Sequence, residues 1–188
     1  MRHLGRYVER HPEELATVDR IRRLVGEQTG CFERDSFEPG HVTASAWIVS
    51  RERGSVLLTH HRKLDRWLQL GGHTDGETDV LSAALREARE ESGLCDFVVL
   101  PRAGGPEILD VDVHEIPARG SEPHHEHHDI RFLLEASEAE SLSRQQSESV
   151  AMRWFPLETL DAVLGEESLA RMARKAAHWL GRHPVGPG

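Results

Sequence analysis

The stretch GGHTDGETDVLSAALREAREESGL, Gly71 to Leu94, constrains this chain more than any other. Its second half places Glu87, Glu90 and Glu91 within about 100° of a helical wheel. Leu81, Ala84, Leu85 and Ala88 fall beside them, and Gly93 ends the run. Such a helix buries one face and presents an acidic face next to it. Like charges on one helix face repel by roughly 0.2–0.5 kcal/mol per pair when exposed. Arg86, four residues before Glu90, offsets one of them. A hard divalent cation, which takes oxygen ligands, would offset all three. A glutamate cluster standing alone is usually a solvated face, so the flanks decide the reading.

The flanks resemble the Nudix box: Gly, five residues, Glu, seven residues, Arg-Glu, an aliphatic residue, any residue, Glu-Glu, any residue, Gly, an aliphatic residue. Gly72, Arg86-Glu87, Glu90-Glu91, Gly93 and Leu94 fit in register, and Ala88 takes the aliphatic position. The box's first glutamate would fall at Thr78; the acid stands one residue earlier, at Glu77, with Asp79 nearby. The resemblance implies an α/β fold, a Nudix-type α/β/α sandwich around a mixed sheet, over about Val42–Leu164. It implies a metal held by Glu87, Glu90, Glu91 and the carbonyl of Gly72. Arg86 would orient the acidic cluster, and Gly71, Glu77 and Asp79 would support the loop. Glu148 stands six residues before Trp154, as an acid often does in the family's late strand. It is the candidate general base or additional ligand, though a loop glutamate without a task fits equally well.

The implied activity is hydrolysis of the pyrophosphate linkage in a nucleoside diphosphate joined to another group, with Mg²⁺ or Mn²⁺ as cofactor. Divalent ions neutralise the negative oxygens that repel nucleophiles, bridge phosphoryl groups and lower the pKa of a bound water. Glycine at 71 and 72 lets backbone approach a metal or phosphate with no Cβ in the way. Alternatives are an isopentenyl-diphosphate-isomerase-like or otherwise diverged metalloenzyme using histidines and a non-catalytic Nudix-fold binding module; intact Glu87, Glu90 and Glu91 weigh against the last.

The 188 residues suit one domain with a real core. A net charge of −9 with scattered basic residues argues against a double-stranded DNA binder and allows a small phosphorylated substrate bound through metal. No run approaches the ~18 apolar residues of a membrane span, and the N-terminus has no apolar signal core. Two cysteines, Cys31 and Cys95, give neither a disulfide framework nor metal spacing. The expected setting is the cytoplasm.

Periodicity predicts a helix over 11–28, strands over 41–50, 55–61 and 67–70, the acidic helix over 79–92, strands over 96–100, 108–116, 127–135 and 149–155, then helices over 157–164 and 167–180. Residues 118–126 read as a loop. The simplest parse is a single domain over 1–188. It has a helical extension at 1–40, a core at 41–164, and a helix and tail at 165–188. The two extensions are expected to pack on the core or to form a homodimer contact.

Thirteen histidines are the second unusual feature. At period two, His125, His127, Asp129 and Arg131 share one strand face, while Ile130, Phe132 and Leu134 share the other. His73 follows the glycine pair, and His41 begins a strand with Thr43 and Ser45 on its face. Imidazole and carboxylate suit a transition metal, so His41, His73, His125, His127 and Asp129 form a candidate second metal site. A solvated histidine-rich loop is the plainer alternative. His41 and His73 also resemble parts of the metal set of isopentenyl-diphosphate isomerase, but that enzyme's cysteine would fall at Gly71, which leaves no proton donor for isomerisation.

Overall fold

A computed structural model describes residues 2–101, 105–143 and 149–182. Helices α1 (Arg2–Arg10) and α2 (Leu15–Glu27) flank a 3-10 turn, Pro12–Glu14. The strands are β1 (Gly40–Ser50), β2 (Ser55–His61), β3 (Arg66–Leu68), β4 (Leu70–His73), β5 (Val98–Leu100), β6 (Ile108–Ile116), β7 (His125–Ala136) and β8 (Ser149–Pro156). Helix α3 (Val80–Ser92) lies between β4 and β5, and a 3-10 segment, Leu157–Ala162, precedes helix α4 (Glu167–Arg182).

The sheet is mixed. β1 and β7 run parallel side by side, from Gly40 opposite Glu126 to Ser50 opposite Ala136, and the remaining pairings are antiparallel. Each central strand shares its outer edge between two partners. On β1, Ile48 and Val49 pair with β2, while Thr43 to Ala46 pair with β4. On β7, Leu133 to Glu135 pair with β5, while His125 to Phe132 pair with β6.

Alternation along β1 decides what covers each face. Val42 and Ala44 pack with Ala83 and Ala84 of α3 and with Val18, Ile21 and Leu24 of α2; Ala46 and Ile48 pack with Ala88. Trp47 and Val49 pack on the opposite face with Leu169, Met172, Ala176 and Leu180 of α4. That spacing of three, four and four residues is the buried stripe of an amphipathic helix. The result is the expected α/β/α sandwich. Among the described residues no helix is long and apolar enough to cross a membrane.

Several expected elements are corrected. The 11–28 helix divides into the 3-10 turn and α2, with Pro12 in the first turn, where a missing N–H costs nothing. A separate first helix, α1, precedes it; its Leu4 and Tyr7 are buried in the core. The 67–70 strand is interrupted at Gln69, so Gly71 and Gly72 lie within strand β4 rather than in a loop. The loop expected to 126 ends earlier, with β7 beginning at His125. Residues 157–162 form a 3-10 segment instead of an α-helix.

Candidate active site

β4 and α3 meet at Gly72. Because Ala44 lies opposite Gly72 in the β1–β4 ladder, Gly72 faces the side of the sheet that carries α3. A Cβ added at Gly72 would stand 2.6 Å from Glu87 Oε2, closer than real Cβ atoms come. A glycine here leaves the carboxylate directly against backbone. Gly71 has φ +149°, and its Cβ would lie 2.5 Å from the Ala44 carbonyl oxygen, so the close β1–β4 approach also demands glycine.

Helix α3 distributes its three acids over different depths. Glu91 is buried, and its Oε2 accepts a hydrogen bond from the Gly71 N–H at 2.8 Å. Glu87 is half-buried and accepts from Arg86 Nη1 at 2.6 Å. Glu90 is exposed and lies 3.4 Å from the same guanidinium nitrogen. Arg86 also donates through Nη2 to the His73 carbonyl at 2.8 Å, which ties helix to strand. Burial pushes the Glu87 carboxyl above its ordinary pKa, against the opposing charge and hydrogen bond of Arg86. The helix stops at Gly93 in the left-handed conformation, φ +75°, where glycine carries no Cβ penalty.

Before α3 the chain is exposed. Glu77 Oε1 accepts from the Asp79 N–H at 3.0 Å, and Asp79 Oδ2 accepts from Ser82 Oγ at 2.9 Å. Thr78, between them, is exposed. Glu148 lies outside the described residues.

The histidines gather on the other face. The register puts His41 beside His127 and Thr43 opposite His73, on the side away from α3. One ligand atom from each of His41, His73 and His127 lies within 4.8 Å of the others, the compact His, Cys, Asp or Glu group of this kind among the described residues. His125 stands beside them, with its Nε2 3.3 Å from His127 Nε2. Burial pushes His73 down to about 4, helped by the Arg34 charge, and burial pushes His127 down to about 2, so both rings are neutral near pH 7.

Asp129 is placed differently from this group. Thr43 Oγ1 at 3.2 Å, Ser45 Oγ at 2.9 Å and Arg131 Nε at 2.7 Å all donate to its carboxylate. Arg131, 3% exposed, continues to Asp110 at 2.9 Å and Asp112 at 3.1 Å. Arg171 and Lys175 of α4 reach Asp110 from above, and Lys175 also meets Tyr7 and Glu14. Sequence reading missed this ion network. Its signal was present in β6, where Asp110, Asp112 and His114 alternate with Leu109, Val111 and Val113.

A family model for the NUDIX domain matches residues 39–180, three quarters of the chain. The chain belongs to the Nudix family of hydrolases. The match includes most of α4. Among solved structures, a NUDIX-family hydrolase from Clostridium perfringens is 25% identical, covers 73% of this chain and 97% of its own, and superposes with a TM-score of 0.55. A Caenorhabditis elegans Ap4A hydrolase complex is 18% identical over 75% of this chain and 98% of its own, with a TM-score of 0.59. The Escherichia coli dihydroneopterin triphosphate pyrophosphohydrolase is 16% identical over 74% and 95%, with a TM-score of 0.54. The last two support the fold alone. No curated protein sequence matches the chain.

Proposed function

We propose that this Nudix hydrolase is a divalent-metal-dependent enzyme that cleaves the pyrophosphate linkage of a nucleoside diphosphate joined to another group. The observation that supports it most directly is the cradle at Gly72, where Glu87 Oε2 occupies the space a Cβ would fill. The groups that α3 supplies there are carboxylates, the ligand chemistry of Mg²⁺ and Mn²⁺. In this reading Glu87, Glu90, Glu91 and the Gly72 carbonyl hold the ion. A bound ion would neutralise the phosphoanhydride oxygens and acidify a water. Arg86 holds Glu87 and the His73 carbonyl in one geometry, and the Gly71 N–H fixes Glu91. Glu148 is the candidate base or extra ligand.

Two structural relatives are by name an Ap4A hydrolase and a dihydroneopterin triphosphate pyrophosphohydrolase. Their names favour a small phosphorylated substrate, a nucleotide derivative, over double-stranded DNA, as does the net charge of −9. The reading carries a cytoplasmic setting with it.

The test is a panel of nucleoside diphosphate derivatives assayed with Mg²⁺, with Mn²⁺ and with chelator. Phosphate-containing products that require metal, and that fall by at least about a hundredfold in Glu90→Gln, are expected. Isomerised product without anhydride cleavage, or binding without turnover, would replace this reading with one of the alternatives.

A further inference from the structure

We propose that His41, His73 and His127 form a second cation site, specific for a transition metal of the zinc class, on the face of the sheet opposite the acidic helix. This site is independent of the hydrolase reading above, because none of its ligands is a glutamate of α3.

Three features of the group point to a ligand. First, the three side chains come from three strands whose register is fixed: His41 sits beside His127 in the parallel ladder, and Thr43 pairs with His73. Ring centroids lie 4.7 Å apart for His41 and His127, 5.1 Å for His41 and His73, and 5.4 Å for His73 and His127. A tetrahedral ion with Zn–N bonds of about 2.1 Å holds its ligand nitrogens roughly 3.4 Å apart. The present spacing, within 4.8 Å, reaches that by small side-chain rotations.

Second, His41 is 1% exposed, and its Nε2 is buried with no hydrogen-bond partner among the described residues. Its Nδ1 lies 3.1 Å from the Ser36 carbonyl oxygen, a contact only an N–H can make. Nε2 therefore carries a lone pair buried without a donor, a state that costs about 1–3 kcal/mol when nothing occupies it. A cation would satisfy it. His125 repeats the arrangement: its Nδ1 donates to the Pro123 carbonyl at 2.8 Å, leaving the Nε2 lone pair beside His127. An imidazole whose far nitrogen is tied to a carbonyl is the usual support for a metal-ligating histidine.

Third, the chemistry selects the metal. Neutral imidazoles suit Zn²⁺, Cu²⁺, Ni²⁺ or Fe²⁺, whereas Mg²⁺ prefers oxygen. Asp129, a carboxylate on the same strand face, is already held by Thr43, Ser45 and Arg131, and the compact group consists of three imidazoles. The site is all-nitrogen in consequence. Histidines stacked without an ion are the competing account; they leave the His41 Nε2 lone pair unexplained.

The experiment uses Co²⁺ as probe on the full chain after chelator treatment, in a Glu87→Gln/Glu90→Gln/Glu91→Gln background that removes the carboxylate site. One equivalent of Co²⁺ should bind and give the intense visible absorption of low-coordinate cobalt, and Zn²⁺ should displace it. His73→Ala and His127→Ala, both at partly exposed positions, should weaken that binding by about a hundredfold or more while circular dichroism shows an unchanged fold. Absence of the band in the folded triple-glutamine protein, or a band unaltered by both histidine variants, would overturn the proposal. Either result leaves the hydrolase assay free to succeed or fail by itself.

Discussion

Gly72 and His73, adjacent in β4, serve opposite faces of one sheet: Gly72 lies against Glu87, and His73 lies against His41. Strand alternation separates two side-chain chemistries by one residue, the Glu87 carboxylate on one face and imidazoles on the other. Arg86 grips the next peptide unit through the His73 carbonyl.

Gly72→Ala tests the Glu87 face. The new Cβ meets the end of a flexible side chain, so Glu87 must swing away while the fold persists. Turnover on a panel substrate should fall by about a hundredfold, since a displacement of about 1 Å at a reacting centre has that effect. The melting temperature should shift little. Unchanged kcat/KM would show that the position of Glu87 does not matter.

Glu91 has two roles that can be separated. Glu91→Gln keeps an oxygen to accept from the Gly71 N–H but removes the charge. It should retain stability and lose turnover by about a hundredfold or more. Glu91→Leu also leaves the Gly71 N–H without that acceptor and should lose a further ~1–3 kcal/mol of stability. Urea denaturation of both variants, paired with their kinetics, distinguishes the two effects.

The position of the box's first acid is tested by three alanines. Glu77→Ala removes the acceptor of the Asp79 N–H and should cost about 0.5–1.5 kcal/mol together with a modest loss of activity. Asp79→Ala removes the acceptor of Ser82 Oγ and should behave similarly. Thr78→Ala should be nearly silent. A larger loss at Thr78 than at either acid would mean that the box register is set one residue later.

Acid should destabilise the fold through Asp110. Burial by itself would raise that carboxyl, but the Arg171 hydrogen bond and the charges of Arg131, Lys175 and Arg171 outweigh it and hold the pKa below the ordinary carboxylate value. A depressed folded pKa contributes stability that is fully present above the unfolded value of about 3.9 and is lost as pH falls through the folded value. Unfolding free energy should therefore decline below about pH 4. Asp110→Asn should flatten that slope while lowering stability at neutral pH. An unchanged slope in the variant would assign acid sensitivity to other carboxylates.

Much of this architecture could be read from the chain because its signals are local. The α3 boundaries follow from a capping glycine and an apolar stripe, and the β6 boundaries from strict alternation. The period-two face of β7 placed His125, His127, Asp129 and Arg131 together before any partner strand was known. What could not be read was pairing. Asp129 shares its face with the imidazoles, yet Thr43, Ser45 and Arg131 claim its carboxylate, a choice made by register between strands eighty-odd residues apart. Likewise, Gly71-Gly72 has the composition of a turn; only its ladder with β1 makes it strand. Helix α1 has only nine residues, yet Leu4, Tyr7 and Val8 recur at i, i+3 and i+4, so its signal stood in the sequence and was missed.

The Asp110 network also bears on which parts of the chain hold together. Asp110 is fully enclosed, and its cationic partners sit at residues 131, 171 and 175. Tyr7 and Glu14, from the opposite end, meet the same Lys175. Arg131 follows Asp110 by 21 residues, whereas Arg171 and Lys175 follow it by 61 and 65. Enclosing that carboxylate therefore requires α4, and Tyr7 of α1 and Glu14 of the 3-10 turn close the same cluster from the other side. One buried carboxylate thus makes α1, the central sheet and α4 a single cooperative unit.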